Sequence, residues 1–238
     1  MIKHTNTKHS SGNADSEITV VNRRLFLRSA GLATSLGTII IAAGCSKDDH
    51  PMIPGGEEVN LGSGDIGVLN YAYALEQLEA AFYAKVVDSF YSGATDAEKA
   101  ILTDIRDHEI VHRDFFKAAL GSNAIKGLTP NFDGIDFGSR AAVLGAAKLF
   151  EDTGVAAYNG AGRLIKDPNY LLLAGKIVSV EARHAAVIRD LINPKSMDFA
   201  GDDIIDMNGM DKAVAPGDIL AAVKGFVKDM INGANVGK

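Results

Sequence analysis

Apolar residues recur at alternating steps of three and four along four long stretches of this chain, the spacing that lines one buried face of an α-helix. In the first stretch, about Asp65 to Tyr91, the stripe runs through Leu69, Tyr73, Ala80, Tyr83, Val87 and Phe90. The second opens on Thr95-Asp96-Ala97-Glu98, a capping box, and stops near Leu120-Gly121; its stripe is Leu102, Ile105, Phe116 and Ala119. The third, about Ser139 to Lys166, carries Leu144, Ala147, Tyr158, Ala161 and Ile165. The fourth begins at Asp167-Pro168, a cap followed by proline at the first helical position, and ends before Asn193-Pro194; it carries Tyr170, Ala174, Ile177, Ile188 and Leu191. Short joints make the first and second helices, and the third and fourth, antiparallel hairpins, while Ser122 to Gly138 is long enough to cross back along a bundle. The spacing therefore predicts an all-α four-helix bundle over residues 65–193, with a long crossover between helices 2 and 3. An extension over 194–238 follows, with a short packing helix at about Pro216 to Ile231.

Each stripe is interrupted at its middle by a glutamate: Glu76, Glu109, Glu151 and Glu181. On the second and fourth helices a histidine follows three residues later, His112 and His184. Buried carboxylates must be paired, protonated or bound to metal, and the stripes hold no lysine or arginine to neutralise four of them. Two cations would do so, and a mixed carboxylate and imidazole donor set suits iron, manganese or zinc. Glu-x-x-His places both side chains on one face about one turn apart, so both reach the same ion. The pattern is internally two-fold: Glu76 and Glu151 each have a tyrosine seven residues on, Tyr83 and Tyr158, and each hairpin supplies one bridging-type glutamate and one Glu-x-x-His. Glu79 lies one position off the stripe and ranks as a solvent-facing or second-sphere carboxylate, with an alternative role as a ligand. His108 reads as a surface or second-sphere histidine. Tyr83 and Tyr158 read as core tyrosines within reach of the carboxylates, and Gly154 hints at a close helix approach or a bulge.

Composition narrows the partners. Residues 1–45 carry five basic and two acidic side chains, which leaves 19 and 28 of the totals of 24 and 30 for the rest, a net of −9. An acidic body argues against nucleic acid. The single cysteine, Cys45, excludes a disulfide framework and a cysteine-based zinc site.

Arg23-Arg24 with Phe26-Leu27, followed by the short apolar run from Ala30 to Gly44, resembles a twin-arginine export signal; the run is shorter than the ~20 residues of a membrane-spanning helix. Ile41-Ala42-Ala43-Gly44-Cys45 resembles a lipoprotein cleavage box, which implies lipidation at Cys45. Ser46-Lys47-Asp48-Asp49 resembles the tag of surface lipoproteins in some Gram-negative lineages. Residues 46–64, rich in Gly, Pro and charge, read as a flexible tether. These features imply an exported chain held by lipid at the periplasmic face or the outer membrane, with the cell surface open.

The glutamate and histidine set resembles that of the ferritin-like di-metal carboxylate superfamily. Leu75-Glu76-Gln77-Leu78-Glu79-Ala80-Ala81-Phe82-Tyr83, Phe150 to Gly160 and Glu181-Ala182-Arg183-His184 are similar to motifs of its exported branch, which includes desiccation-related proteins. The resemblance implies a ferritin-like bundle holding two iron ions, with two manganese ions as the alternative. The activity would be that of a di-iron oxidoreductase of ferroxidase type, or a manganese-catalase type, in stress defence. The other class it leaves open is a non-enzymatic metal-binding or desiccation-protective lipoprotein with a structural or empty site. The lipid anchor and tether argue against a large closed shell and leave a homodimer open.

Overall fold

The computed structural model describes residues 58–238. The leader read over 1–45, including Cys45, and most of the tether lie outside the described residues. Among them the helices are α1 (Gly64–Asp88), α2 (Asp96–Leu120), α3 (Arg140–Gly162), α4 (Pro168–Ile192) and a short α5 (Pro216–Val223). The fold is the all-α bundle with a crossover that the spacing predicts. α1 packs chiefly on α2, and α3 on α4.

Local chemistry sets the helix starts. Thr95 Oγ1 accepts from Glu98 N (3.2 Å) and Thr95 N donates to Glu98 Oε2 (2.8 Å), closing the capping box. Glu98 also accepts from Arg140 Nε at 2.7 Å, and Arg140 Nη2 donates to Leu191 O at 2.7 Å, so one arginine ties the ends of three helices. Asp167 Oδ1 caps α4 through Asn169 N at 2.8 Å, with Pro168 at the first position.

The segment after α2 runs back along the outside of α1, and this explains why α1 is buried on nearly every face. Asn70 and Gln77, two turns apart, receive it. Ile125 N donates to Asn70 Oδ1 (2.9 Å), Leu128 N to Gln77 Oε1 (2.8 Å), and Asn70 Nδ2 to Asn123 O (2.9 Å). Phe132 and Phe137 then close on Phe82, each at 5.8 Å between ring centres.

Three boundaries differ from the sequence reading. α1 ends at Asp88, because Ser89 is extended. α3 ends at Gly162, where Leu164 N turns back to Ala161 O (2.9 Å). The C-terminal helix stops at Val223 and passes through a 3-10 turn at Lys224–Phe226. The chain then extends so that β2 (Ile231–Asn232) pairs in parallel with β1 (Val59–Asn60). Residues 58–63, read as the end of a tether, are therefore built into the fold, with Leu61 fully buried.

The extension crosses α3 and α4 before α5. Val214 N donates to Ala156 O (3.0 Å), an approach that only glycine permits at position 160, where a Cβ would overlap Val214 O. Arg189 anchors the extension. It is buried and donates to both oxygens of Asp152 (2.8 and 2.7 Å), both of Asp203 (2.9 and 2.8 Å), and Asp198 O (3.0 Å).

Apolar clusters lie on both sides of the bundle's middle. Leu69, Tyr73, Phe116 and Ile177 sit toward one end, and Phe82, Leu102, Leu144 and Ile188 toward the other. Between them lies a layer of glutamates.

Candidate metal centre

All six side chains that interrupt the stripes meet in that layer. Glu76, Glu109, Glu151 and Glu181 are at most 1% exposed, and His184 is also buried. His112 shows 12% of its side chain to solvent. Their donor atoms converge in two groups, each within 4.8 Å: Glu76, Glu109, Glu181 and His112 in one, and Glu109, Glu151, Glu181 and His184 in the other.

Glu109 and Glu181 belong to both groups and divide their oxygens between them. Glu109 Oε2 and Glu181 Oε1 face His112 Nδ1 at 3.8 and 2.7 Å, while Glu109 Oε1 and Glu181 Oε2 face His184 Nδ1 at 2.8 and 3.0 Å. Glu76 Oε2 approaches only His112 Nδ1 (3.6 Å), and Glu151 Oε2 only His184 Nδ1 (3.6 Å). The carboxylates common to both groups are thus those of the Glu-x-x-His motifs, whereas the spacing gave the bridging-type place to Glu76 and Glu151. The reason is helix placement: α2 and α4 both project their glutamates into the centre, and α1 and α3 close the two sides.

The donors fit cations better than they fit each other. Glu76 Oε2, both oxygens of Glu109, Glu151 Oε2, Glu181 Oε1 and His112 Nδ1 are buried with no hydrogen-bond partner. The 2.7 Å approach of His112 Nδ1 to Glu181 Oε1 is close in distance but lacks hydrogen-bond geometry. Buried polar atoms left in this state are rare and mark an unfilled function. Four carboxylates balance two divalent ions, and two groups of four donors match two ions.

A family model described as a ferritin-like domain matches residues 64–194. The chain belongs to the ferritin-like domain family. Among curated proteins no relative matches.

In the ferritin-like layer without ions, the histidines hold protons. Burial disfavours their charge, but the carboxylates of Glu109, Glu181 and Glu76 around His112 push it up to about 12, and those of Glu109, Glu151 and Glu181 do the same for His184. Burial raises Glu76 well above the usual carboxylate range and lifts Glu151 to about 8. Burial also acts on Glu109, but the nearby His112 and His184 rings, 3.8 and 2.8 Å from its oxygens, outweigh it and bring it down to about 2.

The two tyrosines cross the layer symmetrically. Tyr83 of α1 donates to Glu151 Oε1 of α3 (2.5 Å), and Tyr158 of α3 donates to Glu76 Oε1 of α1. Each leaves the second oxygen of its carboxylate pointing into the box. His108 is exposed, yet its Nδ1 lies 3.0 Å from His184 Nε2, the ring nitrogen opposite the one that faces the glutamates. Such an outer partner fixes which nitrogen of a ligand histidine is free. No counterpart stands at His112: the matching position on α4 is Val180.

Glu79 departs from the solvent-facing reading. It is 4% exposed, lies outside both donor groups, and its Oε2 has no partner. Gly154, unexplained by the sequence, faces it: a Cβ there would sit 2.9 Å from Glu79 Oε1.

Proposed function

We propose that the buried layer binds two transition-metal ions, iron with manganese as the alternative, and that the protein oxidises ferrous iron or consumes dioxygen or peroxide. The observation that carries this reading is the pair of four-donor groups sharing Glu109 and Glu181. A redox-active ion pair, when bound, supplies the electrons for oxidant reduction.

The protein's own residues do the rest. Glu109 and Glu181 would contribute to both ions, His112 and His184 to one each, and Glu76 and Glu151 are oriented by Tyr158 and Tyr83. The apolar clusters on either side exclude bulk water. A narrow apolar cavity of about 30 Å³, lined by Leu75, Phe116, Ala157, Tyr158 and Ile177, lies beside the Tyr158 edge. It has room for a diatomic or peroxide-sized molecule, which supports a small oxidant as the substrate.

The leader motifs support an exported, lipid-held protein, and the resemblance to desiccation-related proteins supports a role in stress defence. Twin-arginine export carries folded chains, so the ions would be chosen in the cytoplasm.

The test is metal analysis and turnover. The chain, stripped and titrated anaerobically, is expected to take up two ferrous ions and then consume oxygen. Peroxide disproportionation with manganese and no oxygen uptake with iron would assign the catalase-type chemistry. Two bound ions with neither activity would leave a structural site, and no bound ion would refute the proposal. Replacing Arg23 and Arg24 together by lysine is expected to block export.

A further inference from the structure

The extension after α4 does not lie flat on the bundle. It crosses the outside of α3 and α4 and touches down on α3 where Val214 N donates to Ala156 O (3.0 Å). Between the extension, these two helices and α5 is a cavity of about 640 Å³, within the size range of small-molecule sites. None of the six residues of the glutamate layer lines it. On the bundle side its lining is small, with Ala182, Ala185 and Ala186 of α4; on the other side stand Ile204, Ile205 and Val214 of the extension. Leu149 and Phe199, 46% and 54% exposed, stand at its opening. A strap of chain facing apolar walls across such a gap would gain by closing onto them. Two anchors hold it off: the Arg189 clamp on Asp152, Asp203 and Asp198 O, and the Val214 to Ala156 bond.

We propose that this cavity binds a small amphiphilic cation, an ammonium group on an apolar body, with the apolar part between α4 and the extension and the ammonium at Asp211. The inference is independent of the metal-binding reading.

The charges around the cavity select the sign of the ligand. Its basic groups already have acceptors. Lys148 Nζ lies 3.1 Å from Asp152 Oδ2 and 3.3 Å from Asp203 Oδ2, Lys212 Nζ donates to Asp203 O, and Arg189 behind them is held by both aspartates. Asp211 and Asp218 line the cavity as well, and neither carboxylate has a hydrogen bond or ion pair among the described residues. Partial burial and then the charge of Asp152 raise the Asp211 carboxyl above its usual range, with Arg189 acting against them. An ammonium beside Asp211 offsets both effects with a charge-assisted hydrogen bond. An anionic ligand would instead meet the carboxylates of Asp152, Asp203, Asp211 and Asp218, with each lining lysine already on an acceptor. The apolar body replaces water against the alanine and isoleucine walls, the larger part of the lining.

The experiment compares decylammonium, decanol and decanoate, one tail with three head groups, by calorimetry on the full chain below the concentrations at which they aggregate. The ammonium is expected to bind once per chain and about tenfold more tightly than the alcohol, with decanoate weakest. Asp211→Asn keeps the shape, removes the charge and should bring the ammonium to the alcohol's affinity. Gly145 lines the cavity, and a Cβ there meets no atom within 4 Å, so Gly145→Phe puts a ring into open space. It should weaken the ammonium and the alcohol alike, by about tenfold or more. Thermal melting of the ligand-free variants checks folding, and either variant alone keeps the test decisive. Equal affinities for the three head groups, no binding of any, an ammonium preference that survives Asp211→Asn, or binding untouched by Gly145→Phe would each overturn the proposal.

Discussion

Sharing of Glu109 and Glu181 between the two donor groups makes a prediction that six equivalent ligands would not. Glu76→Ala removes a donor from one group and leaves Glu109, Glu151, Glu181 and His184 intact in the other. Glu109→Ala removes a donor from both, leaving each with three. Bound metal should fall from two ions to about one per chain in Glu76→Ala, and to near zero in Glu109→Ala. At free metal about 100-fold above Kd, each site adds about 2.7 kcal/mol to stability. For a folded region of this size, 1 kcal/mol moves Tm by about 2–4 °C, so each ion contributes roughly 5–11 °C. Metal addition should raise the parent's Tm by about twice that, that of Glu76→Ala by about one share, and that of Glu109→Ala by little. Each variant is compared with its own metal-free form, because Glu109 also pairs with both histidines and its loss lowers the baseline. Elemental analysis gives the stoichiometry and scanning fluorimetry the shift. Glu151→Ala should mirror Glu76→Ala, and Glu181→Ala should mirror Glu109→Ala. If Glu76→Ala and Glu109→Ala lose the same number of ions, the division into shared and terminal carboxylates is wrong.

Metal-free protein should lose stability as pH rises from about 5 to 9. Glu151 is held up to about 8 against an ordinary 4.5, so its contribution is present below 4.5 and lost as pH climbs through 8. His112 and His184, held near 12, keep protons that unfolded imidazoles release above 6.5, which acts in the same direction. Bound ions replace those protons, so the metal-induced rise in Tm should grow over the same interval; chemical denaturation with and without Zn²⁺ reads both slopes. Gly154→Ala brings a Cβ to 2.9 Å from the carboxyl end of Glu79, which can shift, so it should destabilise the parent by less than about 1 kcal/mol, yet stabilise a Glu79→Ala background by about 1 kcal/mol through helix propensity. A double-mutant cycle with the same sign in both backgrounds would show that Gly154 does not serve Glu79. His108→Ala should weaken metal binding about tenfold at one site only, seen as a split isotherm in calorimetry; a uniform loss would deny its link to His184. Arg189→Met leaves Asp152 and Asp203 with Lys148 as their remaining cation and should lower stability by about 2 kcal/mol, roughly 4–8 °C in Tm, while metal stoichiometry stays at two.

The bundle was legible because its signals are local. The capping box at Thr95 and Glu98, the Asp167-Pro168 start and the three-and-four spacing each act within one or two turns. What the sequence hid is the covering of α1. Asn70 and Gln77 look like solvent-facing residues, and only the path of residues 123–128 shows that they hold main chain. Asp65 is a similar case: it accepts from Lys166 N and Asp167 N, both at 2.8 Å, and so joins the first helix to the last hairpin turn. Pairing of Val59–Asn60 with Ile231–Asn232 joins segments some 170 residues apart, beyond any periodicity argument.

The site shows the same division at higher resolution. A helical stripe says which side chains enter the layer, and all six were found that way. It does not say which carboxylates face each other across it, because that depends on how the four helices are placed, and the structure puts Glu109 and Glu181, not Glu76 and Glu151, in both donor groups. Glu79 fell outside the stripe for a related reason. Stripe reading assumes one buried face per helix, whereas α1 is buried on almost all of its surface, and a residue one position off the seam is then inside the protein. A signal for it was nevertheless present. Gly154 falls three residues after Glu151, at the place where the two-fold pattern puts Glu79 on α1. In a chain built from two similar hairpins, a glycine opposite an extra carboxyl is a break in symmetry with a steric cause.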